Sequence, residues 1–384
     1  MPLPAPSPDA LAHSQRLAAT IAGEIAAAGG WISFSRYMEL ALYAPGLGYY
    51  AAGARKFGAE GDFITAPEIS PLFARALARQ AVQVMRLSAP AIIEAGAGSG
   101  RLAADLLLAL EDLGALPETY SILEVSPDLK QRQAETLARL VPHLAPRVRW
   151  LEHLPEHFDG LVLGNEVLDA MPVHIVAWSP AGIAERGVDL EEEQFAWAER
   201  PATGRLQERA AALAAECSLP DGYSSEIGLA AAAWTAAWGP ILGRGALILL
   251  DYGFPRQEFY HPQRGEGTLM CHYRHHSHPD PFHLLGLTDI TAHVDFTAIA
   301  EAGFDAGLEV LGYTAQGQFL MNCGLLEELQ QLPHGSPDYF RAAAAVQKLI
   351  QPHEMGELFK AIALTKGIAE PLLGFSRGDR SHTL

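Results

Sequence analysis

Three glycines at alternate positions, Gly96, Gly98 and Gly100, follow the apolar residues Ala91, Ile92 and Ile93 and the acid Glu94. Glycine in this pattern lets a chain turn sharply and brings bare backbone N–H groups close to a ligand. A dinucleotide fingerprint, G-x-G-x-x-G, would need a glycine or alanine at position 101, which holds an arginine, Arg101. The pattern is instead E-x-G-x-G-x-G, set between a buried strand and a helix starting near position 102. Alone, such a loop could be a plain strand-to-helix turn. A second residue adds specificity: Glu124 sits at the end of the next apolar run, YSILEV at 120–125. In a doubly wound sheet, an acid at the end of the second strand can accept hydrogen bonds from both ribose hydroxyls. Strand, glycine loop, helix, strand and acid, in that order, predict a nucleoside-containing cofactor.

Other residues could carry chemistry beside it. GNEVLDAM, 164–171, directly follows a fourth apolar run, DGLVLG. Ligands of open α/β sheets sit outside the carboxyl ends of the strands, near the switch point. Asn165, Glu166 and Asp169 are therefore placed to reach a substrate; if Glu166 begins a helical turn, Asp169 lies on the same side of it. The competing reading is a helix N-cap at Asn165 or Glu166. Asp251, ending the run ALILLD, has the same positional argument. CHYRHHSHPDPFH, 271–283, holds five histidines and a cysteine but matches no structural zinc spacing. It reads as a polar loop over a cleft, with Arg274 and some histidines facing the substrate. TDITAHVDF, 288–296, gathers Asp289, His293 and Asp295. A hydrolase would need a G-x-S-x-G elbow, and the glycine loop reads G-x-G-S-G around Ser99, so that class is set aside.

The elements that must position these residues follow from periodicity. Helical spacing is present at 10–28, 34–42 and 72–85, with a Gly- and aromatic-rich loop at 46–73 between the last two. Loops this long tend to be functional. Strands at 92–94, 121–125, 148–151, 159–164 and 246–251 alternate with helices at 102–112 and 128–140, which predicts a parallel sheet covered on both faces. A hairpin region runs from 173 to 197. Ala-rich helices are expected at 204–216 and 227–242, and a helix at 296–302 ends at Gly303. Strands at 308–313 and 358–365 and helices at 325–332 and 338–349 complete the chain. The organisation is an N-terminal helical segment with a covering loop (1–88), a first core part (89–200), inserted helices (201–243), and a second core part (244–384) with a His-rich insertion at 252–285.

Composition bounds the function. Hydrophobic residues make up 49% and charged residues 19%, enough apolar content for a sizeable core. The net charge of −18 argues against a nucleic-acid groove, which needs clustered Lys and Arg. It suits a basic partner. Cys217, Cys271 and Cys323 are far apart and odd in number, which fits a reducing compartment, and the first residues lack a secretory pattern. No apolar run is long enough to span a bilayer. The expected location is cytoplasmic.

Several stretches jointly resemble the MidA family of S-adenosyl-L-methionine (SAM) methyltransferases: FSRYMELALYAPGLGYY, GDFITAPEISPLF, EAGAGSGRLAADLL, ILEVSPDL, GNEVLDAMPV, the long LLDYGFPRQEFYHPQRGEGTLMCHYRHHSHPDPF, DITAHVDF and FKAIALTKG. They span about 34–367. The resemblance implies a class I, Rossmann-like core with helices on both faces, an antiparallel edge near the C-terminus, an N-terminal helical and loop segment, and an inserted helical region. It implies SAM as methyl donor. Glu94, Gly96, Gly98 and Gly100 would then receive the amino-acid end and Glu124 the ribose, with Asn165 and the loop residues Thr65, Pro67 and Glu68 beside them. Glu166, Asn165 and Asp251 would shape the acceptor pocket, with Asp169, His293 and Asp295 behind them. For mitochondrial members the resemblance implies arginine methylation of a respiratory complex I subunit. A methyltransferase for another side chain or a small molecule, or a SAM-binding assembly chaperone, are the alternatives.

Overall fold

A computed structural model describes residues 3–52 and 65–384. Seven strands build its central sheet: β1 (Ala91–Ala95), β2 (Thr119–Leu123), β3 (Val148–Leu151), β4 (Phe158–Asn165), β5 (Leu242–Phe254), β6 (Glu309–Ala315) and β7 (Phe359–Lys366). The spatial order is β6-β7-β5-β4-β1-β2-β3, and the short strand Val294–Asp295 pairs with the end of β5. Neighbours from β3 through β5 are parallel, whereas β7 runs antiparallel to both β5 and β6.

Side chains of a strand point alternately to its two faces. Here both faces are apolar, as a parallel sheet covered on both sides requires. Ile92, Leu161, Leu163, Ile248 and Leu250 pack with the helices Pro71–Leu87 and Arg101–Asp112. Their neighbours Ile93, Val162, Leu247 and Leu249 pack with Leu229–Ile241 and Phe296–Asp305. Two helices that border the site carry serine caps and a proline in the first turn, a combination that satisfies an orphan N–H and presets the helical φ. Ser70 Oγ accepts from Leu72 N–H, and Ser126 Oγ accepts from Leu129 N–H.

Other parts depart from the periodicity. The expected hairpin is part of a five-stranded antiparallel sheet made of Ile32–Ser33, His174–Ser179, Gly182–Glu191, Gln194–Pro201 and Tyr223–Ile227. Tyr223–Ile227 interrupts what reads as purely helical insertion. Its polar Glu226 is buried and held by the N–H groups of Thr268 and Leu269, a pairing no local pattern reveals. Val173, Ile175 and Val188 of this region pack under the helices Pro8–Ala27 and Phe34–Tyr43. Two strands of the His-rich insertion, Met270–Tyr273 and His276–His278, form a three-stranded sheet with Asp289–Thr291 just beyond it. Arg274 and His275, with φ of 46° and 63°, make its hairpin turn. The Arg274 guanidinium bonds the Ala5 carbonyl at 3.3 Å and lies over the Tyr273 ring, so the expectation that it faces substrate is corrected. A helix at Gln316–Asn322 was absent from the periodic reading; it starts straight after β6 with no side-chain cap. Gly303 does not stop its helix, which runs on to Asp305. A Cβ there would stand 2.7 Å from Leu364, so this glycine serves close packing on β7.

All three loop glycines adopt left-handed φ values: 63° at Gly96, 52° at Gly98 and 80° at Gly100. A Cβ on Gly100 would also meet Gln133 Cα at 2.9 Å. Gly100 therefore lets the first and second core helices approach. Gly100→Ala should cost about 1–3 kcal/mol from backbone strain, before any clash is counted. A urea midpoint equal to that of the parent protein would contradict this.

Candidate functional site

A cavity of about 940 Å³ opens at the carboxyl ends of β1, β2, β4 and β5. Its volume is that of a site for a cofactor-sized molecule. On one side lies the glycine loop. Gly96 and Gly98 line the cavity with Ala97 and Ser99, while Gly100 does not. Gly96 N–H is tied to the Leu123 carbonyl at 3.1 Å, which locks the loop to the end of β2. Glu94, 2% exposed, lines the floor, and the Tyr120 hydroxyl donates to it. Burial pushes its carboxyl up to about 7.

Glu124 lies just past β2. Ser126 N–H donates to one of its oxygens at 2.8 Å and Gln133 Nε2 to the other at 2.9 Å. Gln133 is itself held by the Trp150 indole at 2.9 Å. The carboxylate is thus fixed in orientation at the strand end, where a ribose diol can meet it.

The long loop frames the opposite wall. Its residues 53–64 lie outside the described residues. Tyr50 before them and Thr65, Pro67 and Glu68 after them all line the cavity. Ser99 Oγ donates to Glu68, and Ala66 N–H donates to Glu166 at 3.3 Å. This flank therefore touches the cofactor loop and the end of β4 together.

The other half of the cavity is acidic and aromatic. Asn165 and Glu166 stand at the end of β4. Glu166 has φ of 54°, unusual for a residue with a side chain, and no helix starts there. The turn aims its carboxyl into the cavity, where Asn165 Nδ2 donates to it at 3.1 Å. Burial, then the nearby Asp169, pushes the Glu166 carboxyl up to about 8. The hydrogen bonds from Ala66 N–H and Asn165 Nδ2 moderate that rise. Asp169, 6% exposed, is pushed up to about 6 by burial against the opposing hydrogen bond of the Tyr252 hydroxyl. His293 stacks flat on Phe254 at 5.3 Å and meets Tyr252 edge-on at 5.0 Å; burial pushes its imidazole down to about 4, so it is neutral at pH 7. Three buried atoms on this cavity, Asn165 Oδ1, Asp169 Oδ1 and His293 Nδ1, find no partner among the described residues. Buried polar atoms are seldom left so, and these three belong to residues that line one cavity.

Two expected site residues play structural roles instead. Asp251 is 1% exposed and off the cavity. Its Oδ2 accepts from the N–H groups of Val167, Leu168 and Asp169, at 3.1, 2.8 and 3.4 Å, and its Oδ1 from Tyr252 N–H. It holds the turn that presents Glu166. Asp295 caps the helix Phe296–Asp305 through Ala298 N–H at 3.1 Å, with Arg256 at 3.7 Å. Among the described residues, no cluster of three or more His, Cys, Asp or Glu could hold a metal ion. Tyr43, Tyr50, Tyr252 and Trp234 line the cavity without having been singled out as site residues. They come from four separate segments, and only the aromatic density of the 46–73 loop gave a signal.

A family model for S-adenosyl-L-methionine-dependent methyltransferases matches residues 76–314. The mitochondrial protein arginine methyltransferase NDUFAF7 of Danio rerio is 31% identical over 369 residues, covering 87% of this chain and 83% of that relative. Its Mus musculus counterpart is 30% identical over 372 residues, covering 87% and 81%. A Burkholderia thailandensis protein crystallised with S-adenosyl-homocysteine is 52% identical and superposes with a TM-score of 0.96 over 100% of both chains.

Two outcomes follow from the geometry. Glu124→Ala should weaken SAM binding at least about tenfold, or ~1.4 kcal/mol, in calorimetry. The second concerns pH. Glu94, Asp169 and Glu166 all titrate above their unfolded values, so from about pH 4.5 upward the folded state holds protons that the unfolded chain has lost. Stability of the ligand-free protein should therefore fall as pH rises from about 5 to 8. Glu166→Gln should flatten the upper part of that decline in thermal melts; an unchanged slope would show that Glu166 titrates normally.

Proposed function

The chain belongs to the MidA family of S-adenosyl-L-methionine-dependent methyltransferases, and from that premise we propose that its methyl acceptor is an arginine side chain of a protein. The observation that carries the reading is the acidic half of the cavity, where Glu166, Asp169 and Asp289 line one space with tyrosine and tryptophan walls. The names of the relatives, protein arginine methyltransferases, support it. A complex I subunit is the first acceptor to assay, and a cytoplasmic setting suits it.

When bound, SAM supplies an electrophilic methyl carbon on a sulfonium. The chain's own residues have three tasks. They must hold the acceptor nitrogen in line with that carbon, since alignment removes much of the entropic barrier. They must neutralise a cation, because free guanidinium is charged at any ordinary pH and a poor nucleophile. They must also take the proton released as the new N–C bond forms. A carboxylate meets the planar guanidinium through two parallel hydrogen bonds, a geometry that lysine cannot copy. Glu166 is suited to both holding and proton acceptance. Burial keeps it protonated in the ligand-free cavity, and a neighbouring cation favours its charged form. Asp169 Oδ1, without a partner, offers a second acceptor. The aromatic walls favour a flat cation over a hydrated one.

The test is incubation with methyl-labelled SAM and a cell extract, followed by mass spectrometry of labelled protein. Methyl-arginine is the expected product; label on lysine, glutamine or a metabolite would overturn the acceptor assignment and leave the cofactor site standing. Glu166→Gln should keep SAM affinity and lower transfer by about 100-fold or more, the scale of a positioned proton acceptor. In the parent enzyme, kcat/KM for the acceptor should rise with pH and reach half its plateau at about pH 8, as Glu166 loses its proton. A pH-independent rate around that pH would remove Glu166 from the proton transfer.

A further inference from the structure

One residue touches both halves of the cavity by separate groups. The Tyr50 carbonyl accepts from Ser126 Oγ at 2.7 Å. Ser126 is the residue whose N–H orients the Glu124 carboxylate at 2.8 Å. The Tyr50 hydroxyl, at the far end of the side chain, donates to Asp289 Oδ1 at 3.0 Å. Asp289 is 1% exposed and lines the acidic half. The ring between them is fixed on its face by Tyr43, stacked at 5.5 Å with 24° between planes, and on its edge by Tyr49 at 5.0 Å. Tyr43 is in turn anchored through its hydroxyl to the Ala170 carbonyl at 2.9 Å, one residue past Asp169. Tyr50 N–H is bound to the Leu42 carbonyl at 2.8 Å, so the residue is held at its backbone, ring and hydroxyl.

We infer that Tyr50 is a positioning residue that couples the ribose end of the cofactor site to the acceptor site, by setting the orientation of the Asp289 carboxylate. A rigid aromatic side chain suits this role, since a ring has two χ angles to fix and cannot bend between its ends. Cofactor seating at Glu124 and acceptor seating beside Asp289 then share one rigid strut. The inference rests on methyl transfer in this cavity, and it holds whichever side chain receives the methyl group.

The test uses the full chain, with methyl-labelled SAM and cell-extract protein as probes. Tyr50→Phe keeps the ring stack and the backbone contact and removes only the hydroxyl. It should lower label incorporation at saturating SAM by about tenfold, while calorimetric SAM affinity stays within about twofold of the parent. Adding more SAM should not restore the rate. Asp289→Asn should show a similar loss, and the double variant should be no slower than Asp289→Asn alone, because both changes act through one carboxylate. A parent-like rate in Tyr50→Phe, a loss that extra SAM repairs, or fully additive losses in the double variant would each overturn the coupling. Label on a residue other than arginine would sink the acceptor assignment and leave these comparisons readable.

Discussion

The structure depends on crowding acids where water is scarce. Burial penalises an ionised carboxylate unless hydrogen bonds or an opposite charge offset the loss of hydration. Around this one cavity the chain answers that penalty in graded fashion. Glu124 is met by a backbone N–H and a glutamine amide. Glu94 is met by a single tyrosine hydroxyl and rises toward neutrality. Glu166 has weaker donors at 3.1 and 3.3 Å and rises further. Arg101 also lines the cavity, but Asp105 holds its guanidinium at 2.6 Å. Arg101 is therefore paired within its own helix and is not the partner of the carboxyls Glu166 and Asp169. Buried carboxyls so crowded are poised against their own ionisation.

A bare doubly wound sheet cannot enclose such a space. Its strand ends provide a crevice open to water, and water would screen the electrostatic interactions that the acids offer. Additions close it here. The helix Phe34–Tyr43 and the residues after it supply Tyr43 and Tyr50. The small sheet built on the His-rich insertion supplies Met270, His272 and Asp289. The helix Leu229–Ile241 brings Trp234, and the approach to β7 brings Met355 and Leu358. These walls are mostly apolar or aromatic, which excludes water while leaving the polar groups of the strand ends exposed to a ligand.

What was legible in the sequence divides along the same line. The glycine loop, Glu124 and the alternation of strands with helices are local patterns, and each stands where the residues predict it. Asn165, Glu166 and Asp169 also reach the cavity, because the rule that ligands meet the carboxyl ends of strands depends only on strand order. Asp251 obeys the same rule of position and still fails as a ligand residue. Its strand end faces a turn of backbone N–H groups, and nothing in ALILLD announces that. The buried Glu226 and the strand Tyr223–Ile227 were hidden for a related reason, since their partners at Thr268 and Leu269 lie some 40 residues away. Tyr50 falls in the aromatic-rich loop and Tyr43 before it, and only long-range contacts to Ala170, Ser126 and Asp289 give them a role.

The hydrogen bonds of Asp251 set it apart from Glu166. Each carboxylate oxygen has two lone-pair directions, and a bidentate clamp on a guanidinium needs one free direction on each oxygen. Asp251 accepts three N–H groups on Oδ2 and one on Oδ1, and it is walled off from the cavity. It has nothing to offer a substrate. What it does provide is indirect: it gathers the N–H groups of 167–169, the residues that directly follow the left-handed Glu166. Such geometry is costly for a side-chain-bearing residue, and it persists only where the surroundings over-determine it. The strained residue is thus the one whose carboxyl faces the cavity, while the acid behind it accepts four backbone N–H groups. The turn after β4 thus divides labour between two buried acids, one saturated by backbone N–H groups and one left with its carboxyl on the cavity.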